Sequence, residues 1–192
     1  MIEPVRIVDG PAIPLGLADL DTDRILPARF MRRPRSPDYA DYCFHDMRRR
    51  PDGSPDPQSP LDRPATAGAR TLVAGPNFGS GSSREGAVSA LLEFGLRCVI
   101  APSFGESVAA TAAANGLLTV TLPADAVDRL LAALAASPAP RLTVDLPAQT
   151  IRTEGFEAAF AIDPERKRML VDGLDEIGLS LAHGEAIAAF EA

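Results

Sequence analysis

The chain contains 192 residues, of which 46% are hydrophobic and 23% charged, and its formal net charge is −7 at pH 7. This length and composition predict one domain, residues 1–192, with its own hydrophobic core. The negative charge argues against binding to nucleic acid. The sequence shows neither an apolar run of about 18 residues nor a signal-peptide pattern, so we expect no membrane span and a cytoplasmic location.

The N-terminal segment alternates apolar and turn-forming residues from Arg6 to about Leu26, which predicts a short strand or hairpin. Within it lies a turn with three short polar residues, Asp21, Thr22 and Asp23. Such side chains commonly hydrogen-bond to nearby backbone groups and fix the turn. Spacing alone therefore gives these residues a local structural role.

Residues 32–66 are rich in proline, glycine and serine, which predicts an irregular loop. A loop of this length in a compact domain is usually a lid, a binding loop or a partly disordered segment. One short helix is expected from Asp38 to Met47, where aromatic residues could anchor it. The arginine run 48–50 is interpreted as a solvated face, or as a contact with an acidic partner or anionic substrate.

The stretch from Gly75 to Ala87 follows an apolar run and precedes a helical pattern. We expect a strand at 71–75, a glycine turn and a helix at about 83–95. Gly79 and Gly81 permit positive φ and close backbone approach, while the first turn of the helix offers free N–H groups and the positive end of its dipole. Together these features predict an anion-binding turn.

Ser82, Ser83 and Arg84 stand at the start of this helix. A planar guanidinium suits a carboxylate or phosphate, so one interpretation is an oxyanion site with a serine base. The alternative is a capping box, in which Ser82 and Glu85 satisfy helix amides without any chemistry. Spacing leaves both open, but it disfavours dinucleotide binding because Arg84 replaces the third glycine of that fingerprint.

Beyond this helix, predicted strands and helices alternate, which indicates the α/β class with parallel pairing through right-handed crossovers. We expect strands at 97–101, 117–122 and 142–146, one or two strands within 150–160, and helices at about 103–115, 125–136, 164–172 and 183–191.

Metal-ligating residues are few, since the chain has only Cys43, Cys98, His45 and His183 as thiols and imidazoles. There is no Cys-x-x-Cys pair and no third thiol, so the chain cannot by itself supply an ordinary zinc or iron–sulfur ligand set. We expect this chain to bind no metal, and any metal would have to come from a partner.

Four motifs resemble, in the same order, those of the small subunits of 3-isopropylmalate dehydratase, which are swivel domains of the aconitase superfamily. The motifs are the Asp-Thr-Asp segment 19–30, the serine–arginine turn 77–85, the strand–helix–strand unit at 99–104 and 115–118, and the C-terminal segment 172–181.

This resemblance implies an α/β fold, a swivelling β/β/α domain of the aconitase type with a mixed, largely parallel sheet flanked by helices. The implied activity is that of a hydro-lyase of leucine biosynthesis, which isomerises 2-isopropylmalate and 3-isopropylmalate by dehydration and rehydration. The chain would be inactive alone and would bind no cofactor itself. Its partner would be a large subunit whose [4Fe-4S] cluster polarises the departing hydroxyl group.

The serine–arginine turn carries the implied chemistry. By position, Ser82 matches the catalytic base, which removes a proton from the carbon beside a carboxylate. Arg84, with Ser83 beside it, matches the ligand of a carboxylate of the small dicarboxylate substrate. A helix N-terminus and a nearby arginine would lower the cost of a negatively charged serine oxygen.

Two further segments match family positions around the substrate. Asp21, Thr22 and Asp23 are placed near the active-site cleft, where they could orient the substrate or the serine turn. Phe30 and Met31 match the loop that reads the side group of the substrate, and an apolar pair suits an alkyl branch. A core contact is an equally good interpretation of these two residues from the sequence.

Some positions depart from the family pattern. Ser80, Gly86 and the pair Val88-Ser89 stand where the usual small subunit has a cysteine, a histidine and a proline–tryptophan pair. These departures suggest, as an alternative, a paralogous hydratase or dehydratase for another small dicarboxylate of the methylated malate or citraconate type. A non-catalytic anion-binding module is the other alternative, against which the retained serines and arginine argue.

Overall fold

The computed structural model of the chain describes residues 2–34, 36, 38–81, 85–175 and 177–178. The strands of these ranges are β1 Ile7–Pro14, β2 Thr71–Val73, β3 Cys98–Ala101, β4 Leu118–Thr121, β5 Arg141–Asp145, β6 Thr150–Thr153 and β7 Phe156–Ala159. The α-helices are α1 Thr22–Ile25, α2 Tyr39–Tyr42, α3 His45–Arg48, α4 Glu85–Glu93, α5 Glu106–Thr111, α6 Ala124–Ala136 and α7 Pro164–Asp172. The helix expected at 183–191 lies outside these ranges, and no helix within them is long and apolar enough to cross a membrane.

The seven strands form one mixed sheet in the order β4-β3-β2-β1-β5-β6-β7. Strands β1 to β4 pair in parallel, as the alternation of strands and helices predicts. The other half of the sheet is antiparallel, and β5 runs opposite to β1. Parallel pairing therefore holds for β1 to β4 only, and the expectation of a parallel strand after α6 is wrong.

The direction of β5 follows from the path of α6, which contacts β3, β1 and β7 and therefore crosses the strands. Its 13 residues span about 20 Å at 1.5 Å per residue. Strand β5 lies four positions from β4, or about 19 Å at the usual strand spacing. The helix therefore crosses over the strands and does not return the chain to the opposite end of the sheet. Strand β5 starts at the same end of the sheet at which β4 stops, and so it runs antiparallel to β1.

Alternating residues of the strands face two separate hydrophobic cores. Ile13 and Leu72 point to one face, where they pack with residues of α1, α2, α4 and α5. Their neighbours Ala12 and Val73 point to the other face, where they pack with α6, α7 and the antiparallel strands. The parallel strands are buried on both faces, which explains their continuous apolar sequence.

Within residues 32–66 two short helices, α2 and α3, replace the single helix expected from Asp38 to Met47. They are separate because Phe44, which precedes α3, has a φ of 53°. Arg48 is buried, so the solvated-face interpretation is wrong for this arginine. Its guanidinium donates to the Asp62 carboxylate at 2.9 and 3.0 Å and lies 4.8 Å from the Phe94 ring centroid, which anchors the loop to the end of α4.

Candidate active site

Strands β1, β2 and β3 are parallel, so their C-terminal ends lie at one edge of the sheet. There the glycine turn after β2 pairs with the segment after β1. The Gly79 amide donates to the Leu20 carbonyl at 2.6 Å, and the Thr22 amide donates to the Ser80 carbonyl at 2.8 Å. In open α/β sheets this edge is the usual location of ligand sites.

On its other side the turn pairs with the segment after β3. The Asn77 amide donates to the Ser103 hydroxyl at 2.8 Å, and the Phe78 amide donates to the Ser103 carbonyl at 3.1 Å. The Gly105 amide donates in turn to the Phe78 carbonyl at 2.8 Å. The turn therefore lies between the segments that follow β1 and β3 and is bridged in parallel to both. Ser103 supports the turn through the hydrogen bond that its hydroxyl accepts, and the sequence analysis did not find this residue.

Glycine is required at several points of this arrangement. Gly79 and Gly81 have φ values of +73° and +95°, which confirms the positive φ predicted for both. A Cβ on Gly79 would lie 2.9 Å from Val108 Cβ and closer still to its Cγ2. A Cβ on Gly105 would lie 2.7 Å from the carbonyl carbon of Gly79. The segments therefore approach more closely than any side chain would allow.

The Asp-Thr-Asp motif forms the start of α1, directly beside the turn. The Asp21 carboxylate accepts a hydrogen bond from the Arg24 amide at 2.7 Å and caps the helix, as a local structural role predicts. Asp21 also forms a parallel β-bridge with Ser80. Thr22 is fully buried, whereas Asp23 is exposed. The structure therefore brings the motif to the serine turn, and a role towards substrate stays a prediction.

Ser82, Ser83 and Arg84 lie outside the described residues. The chain is described up to Gly81, and α4 begins at Glu85 immediately after them. The predicted base, the predicted carboxylate ligand and the alternative capping box therefore stay predictions.

The two residues expected to read the substrate side group differ in environment. The Phe30 ring stacks on Tyr42, with centroids 4.4 Å apart and planes at 8°, and packs against the core. The Arg29 guanidinium lies 4.6 Å from the Phe30 ring centroid. Met31 is 46% exposed. Phe30 thus has a packing role whatever else it does, while the Met31 side chain is open to a ligand or partner.

A charged cluster next to this stack was not found from the sequence. Arg29 Nη1 donates to Asp46 Oδ2 at 2.9 Å, and its Nη2 lies 3.1 Å from His45 Nδ1. The hydrogen bonds from Arg29 lower the pKa of Asp46 to about 2. Arg29 is 16 residues from His45 in the sequence, and no motif links it to the neighbouring pair His45 and Asp46, so only the fold reveals the cluster. The cluster holds the loop that contains Phe30 against α3.

The positions that depart from the family pattern lie in different structural environments. Val88 and Ser89 are buried in α4, with 0% and 8% of their surface exposed, so their change is one of core packing. Gly86 lies where a Cβ would be 3.1 Å from Leu26 Cδ2 and 3.4 Å from Tyr39 Oη. The space at Gly86 is therefore occupied by neighbouring side chains.

Possible metal ligands are not grouped in the described part of the chain, where no three His, Cys, Asp or Glu residues could together hold an ion. Cys43 and Cys98 are fully buried, and burial raises the pKa of both thiols above its ordinary value. Thiolates are the ligands that an iron–sulfur cluster needs. The described residues of this chain do not fit such a cluster.

Comparisons with known proteins agree with this geometry. A model of the aconitase C-terminal domain matches residues 40–125, and a model described as LeuD_N matches residues 128–164. The 3-isopropylmalate dehydratase small subunit 1 of Chromobacterium violaceum is 44% identical over 96% of this chain and 87% of its own length. The 3-isopropylmalate dehydratase small subunit of Rubrobacter xylanophilus is 43% identical over 99% of this chain and 94% of its own.

The fold has a match among solved structures. A crystal structure of 3-isopropylmalate dehydratase (leuD) from Methanocaldococcus jannaschii gives a TM-score of 0.66 at 24% identity, with 97% of this chain and 99% of that chain covered. The match shows the same fold, and together with the aconitase C-terminal domain model it confirms the predicted aconitase-type domain.

Proposed function

Because the chain belongs to the family of 3-isopropylmalate dehydratase small subunits, we propose that it is the small subunit of a hydro-lyase that interconverts 2-isopropylmalate and 3-isopropylmalate in leucine biosynthesis. The observation that carries this proposal is 42–44% identity to curated small subunits over nearly the whole chain. The convergence of the serine turn with the Asp-Thr-Asp motif at one sheet edge supports it.

In this proposal residues 1–192 act as a single swivelling domain that closes over the active site of a cytoplasmic complex. The partner is a large subunit, and the [4Fe-4S] cluster is assigned to that subunit. Both buried cysteines of this chain are poor cluster ligands, which is consistent with that assignment. The chain alone is expected to be inactive.

The chain contributes the proton-transfer half of the reaction. Ser82 removes the proton from the carbon beside a substrate carboxylate, and Arg84 and Ser83 bind that carboxylate. The hydrogen bonds on both sides of residues 77–81 support this role, because a base must be held in one geometry relative to the carbon it attacks.

The remaining predicted site residues surround this turn. Asp21 fixes the start of α1, and through it the position of Ser80, while Thr22 adds a backbone hydrogen bond to the same residue. Asp23 is exposed beside the turn, where it could orient the substrate. Met31, which is 46% exposed, is the better candidate of the side-group pair to contact an alkyl branch.

The test is dehydration of 2-isopropylmalate, followed by absorbance of the unsaturated product. The chain is co-purified anaerobically with the cluster-bearing large subunit from the same genome. Ser82→Ala should assemble normally and lose activity by about 100- to 10,000-fold, because it removes the base. Ser89→Ala is the matched control, since Ser89 is a buried serine of the helix that follows.

Other outcomes would favour the alternatives. If Ser82 only caps the helix, Ser82→Ala lowers stability by about 1 kcal/mol and leaves turnover intact. An intact wild-type complex without isopropylmalate activity contradicts the proposal, and turnover of a methylated malate or citraconate then identifies the paralogous hydratase. Dicarboxylate binding without turnover of any of these acids identifies the anion-binding module.

A further inference from the structure

Two exposed residues at the candidate site, Asp19 and Asn77, have a left-handed backbone conformation. Their φ values are +52° and +63°, and they are two of the four non-glycine residues with positive φ in the described part of the chain. Both lie at the edge of the sheet where β1 and β2 end. Non-glycine residues that are held in this conformation cluster at functional sites. The pair is therefore a candidate for a role in the reaction.

The two residues are bound to each other. Asn77 Nδ2 donates to Asp19 Oδ1 at 2.7 Å, and the Asp19 amide donates to the Pro76 carbonyl at 2.9 Å. The Asn77 amide donates in addition to the Ser103 hydroxyl at 2.8 Å. Asn77 therefore joins the segments that follow β1, β2 and β3, through contacts with residues 58 and 26 positions away in the sequence.

The contact fixes the direction of the chain at the start of the turn. Both side chains are exposed, so their hydrogen bond gives only a small net gain in stability, while the left-handed conformation is a cost to each residue. Directly after Asn77 the Phe78 ring is fully buried, and the Phe78 amide donates to the Ser103 carbonyl at 3.1 Å. The left-handed step at Asn77 thus directs residues 77–81 along the edge of the sheet.

We propose that Asp19 and Asn77 are positioning residues, whose mutual side-chain hydrogen bond holds residues 77–81 in the geometry that the reaction requires. Gly81 is bonded covalently to Ser82, and consecutive Cα atoms lie about 3.8 Å apart. A displacement of the turn therefore displaces the predicted base. This inference rests on the proposed function, and it adds two residues that act through the turn without touching the substrate.

An exchange of the two side chains tests the pair in the reconstituted complex. Asn77→Asp places two carboxylates opposite each other, so repulsion replaces the hydrogen bond. Adding Asp19→Asn restores one amide and one carboxylate in exchanged positions, and both residue types tolerate positive φ. The kcat of the assembled complex for 2-isopropylmalate should fall by about 10- to 100-fold in Asn77→Asp and should recover in the double variant. A residue with only a structural role would change the amount of folded complex and not its kcat.

Thr143→Val is the matched control, because it also removes an exposed hydrogen bond to an aspartate between distant segments. Thr143 Oγ1 donates to Asp9 Oδ1 at 2.6 Å. Asp9 lies in β1 five residues before Pro14, which ends the strand, or about 17 Å from the candidate site along the strand. The kcat of Thr143→Val should stay within about twofold of wild type, because the two sites are independent.

A second measurement follows the turn itself and does not depend on the reaction. The Gly79 amide donates to the Leu20 carbonyl, and this bond protects it from hydrogen exchange while the turn keeps its position. In the complex, Asn77→Asp should speed up the exchange of this amide by about tenfold, as measured by mass spectrometry. The double variant should restore the wild-type rate, and Thr143→Val should leave the rate unchanged.

These results separate the two proposals. An intact wild-type complex that does not convert 2-isopropylmalate contradicts the proposed reaction, and the exchange of the Gly79 amide then tests the pair: a faster rate in Asn77→Asp that the double variant restores supports it, and an unchanged rate overturns it. In an active complex, an unchanged kcat in Asn77→Asp overturns the role of the pair and leaves the proposed reaction standing. A lowered kcat that the double variant does not restore also overturns it, as does an equal loss in Thr143→Val.

Discussion

Gly79→Ala should destabilise the protein far more than an alanine substitution in an ordinary turn. Gly79 has a φ of +73°, and this left-handed conformation costs an L-residue about 1–2 kcal/mol. The added methyl group would also lie 2.9 Å from Val108 Cβ, and Val108 is 1% exposed. Overpacking of this kind costs about 1–3 kcal/mol. We therefore expect a loss of about 2–5 kcal/mol in the free energy of unfolding.

Gly53→Ala separates the two contributions. Gly53 has a φ of +83°, and among the described residues other than its chain neighbours no atom lies within 4 Å of the position that its methyl group would take. Gly53→Ala should lower the free energy of unfolding only by the cost of the left-handed backbone conformation, about 1–2 kcal/mol. The assay is urea unfolding of the isolated chain, followed by circular dichroism. Adding Val108→Ala to Gly79→Ala should restore part of the loss in a double-mutant cycle. If Gly79→Ala costs no more than Gly53→Ala, the close approach of the turn to α5 is refuted.

Three further predictions concern charged residues around the site. Asp21→Ala removes a helix cap and should lower the free energy of unfolding in urea by about 1 kcal/mol, whereas Asp21→Asn should keep most of it. Arg48→Met should cost about 2–4 kcal/mol in the same assay, somewhat less than a fully buried pair because the Asp62 side chain is 34% exposed. The depressed pKa of Asp46, about 2, means that its pair with Arg29 stabilises the fold fully above about pH 4 and loses this effect as the pH falls towards 2. Arg29→Ala should raise that pKa towards its ordinary value in an NMR titration, and an unmoved pKa would contradict the assigned cause.

Local sequence patterns predicted most elements, because the pattern that specifies each helix or strand lies within a few consecutive residues. The expected helix at about 83–95 is α4, Glu85–Glu93, and the expected strand at 97–101 is β3, Cys98–Ala101. The helix expected at about 125–136 is α6, Ala124–Ala136. These segments combine a continuous apolar run or a helical stripe with glycine or proline at the ends, so local preference and tertiary burial agree.

The sequence could not predict features that depend on distant parts of the chain. The direction of β5 depends on the angle at which α6 crosses the sheet, and no local pattern encodes that angle. The left-handed conformation of Phe44, which divides the expected helix, is forced on a residue type that seldom adopts it. The support that Ser103 gives to Asn77 joins residues 26 apart and has no motif of its own.

Two parts of the candidate site are held by different kinds of contact. Residues 77–81 are positioned by backbone hydrogen bonds and by close contacts at Gly79 and Gly105, so apart from the contact between Asp19 and Asn77 their geometry depends little on which side chains surround them. Phe30 is instead positioned by its stack on Tyr42 and by Arg29 with its carboxylate partner, all of them side-chain contacts. Side chains can be exchanged one at a time, whereas the close backbone contacts cannot. Under the proposed roles, a family with this arrangement can change the side group it accepts while it keeps the turn that would carry the base.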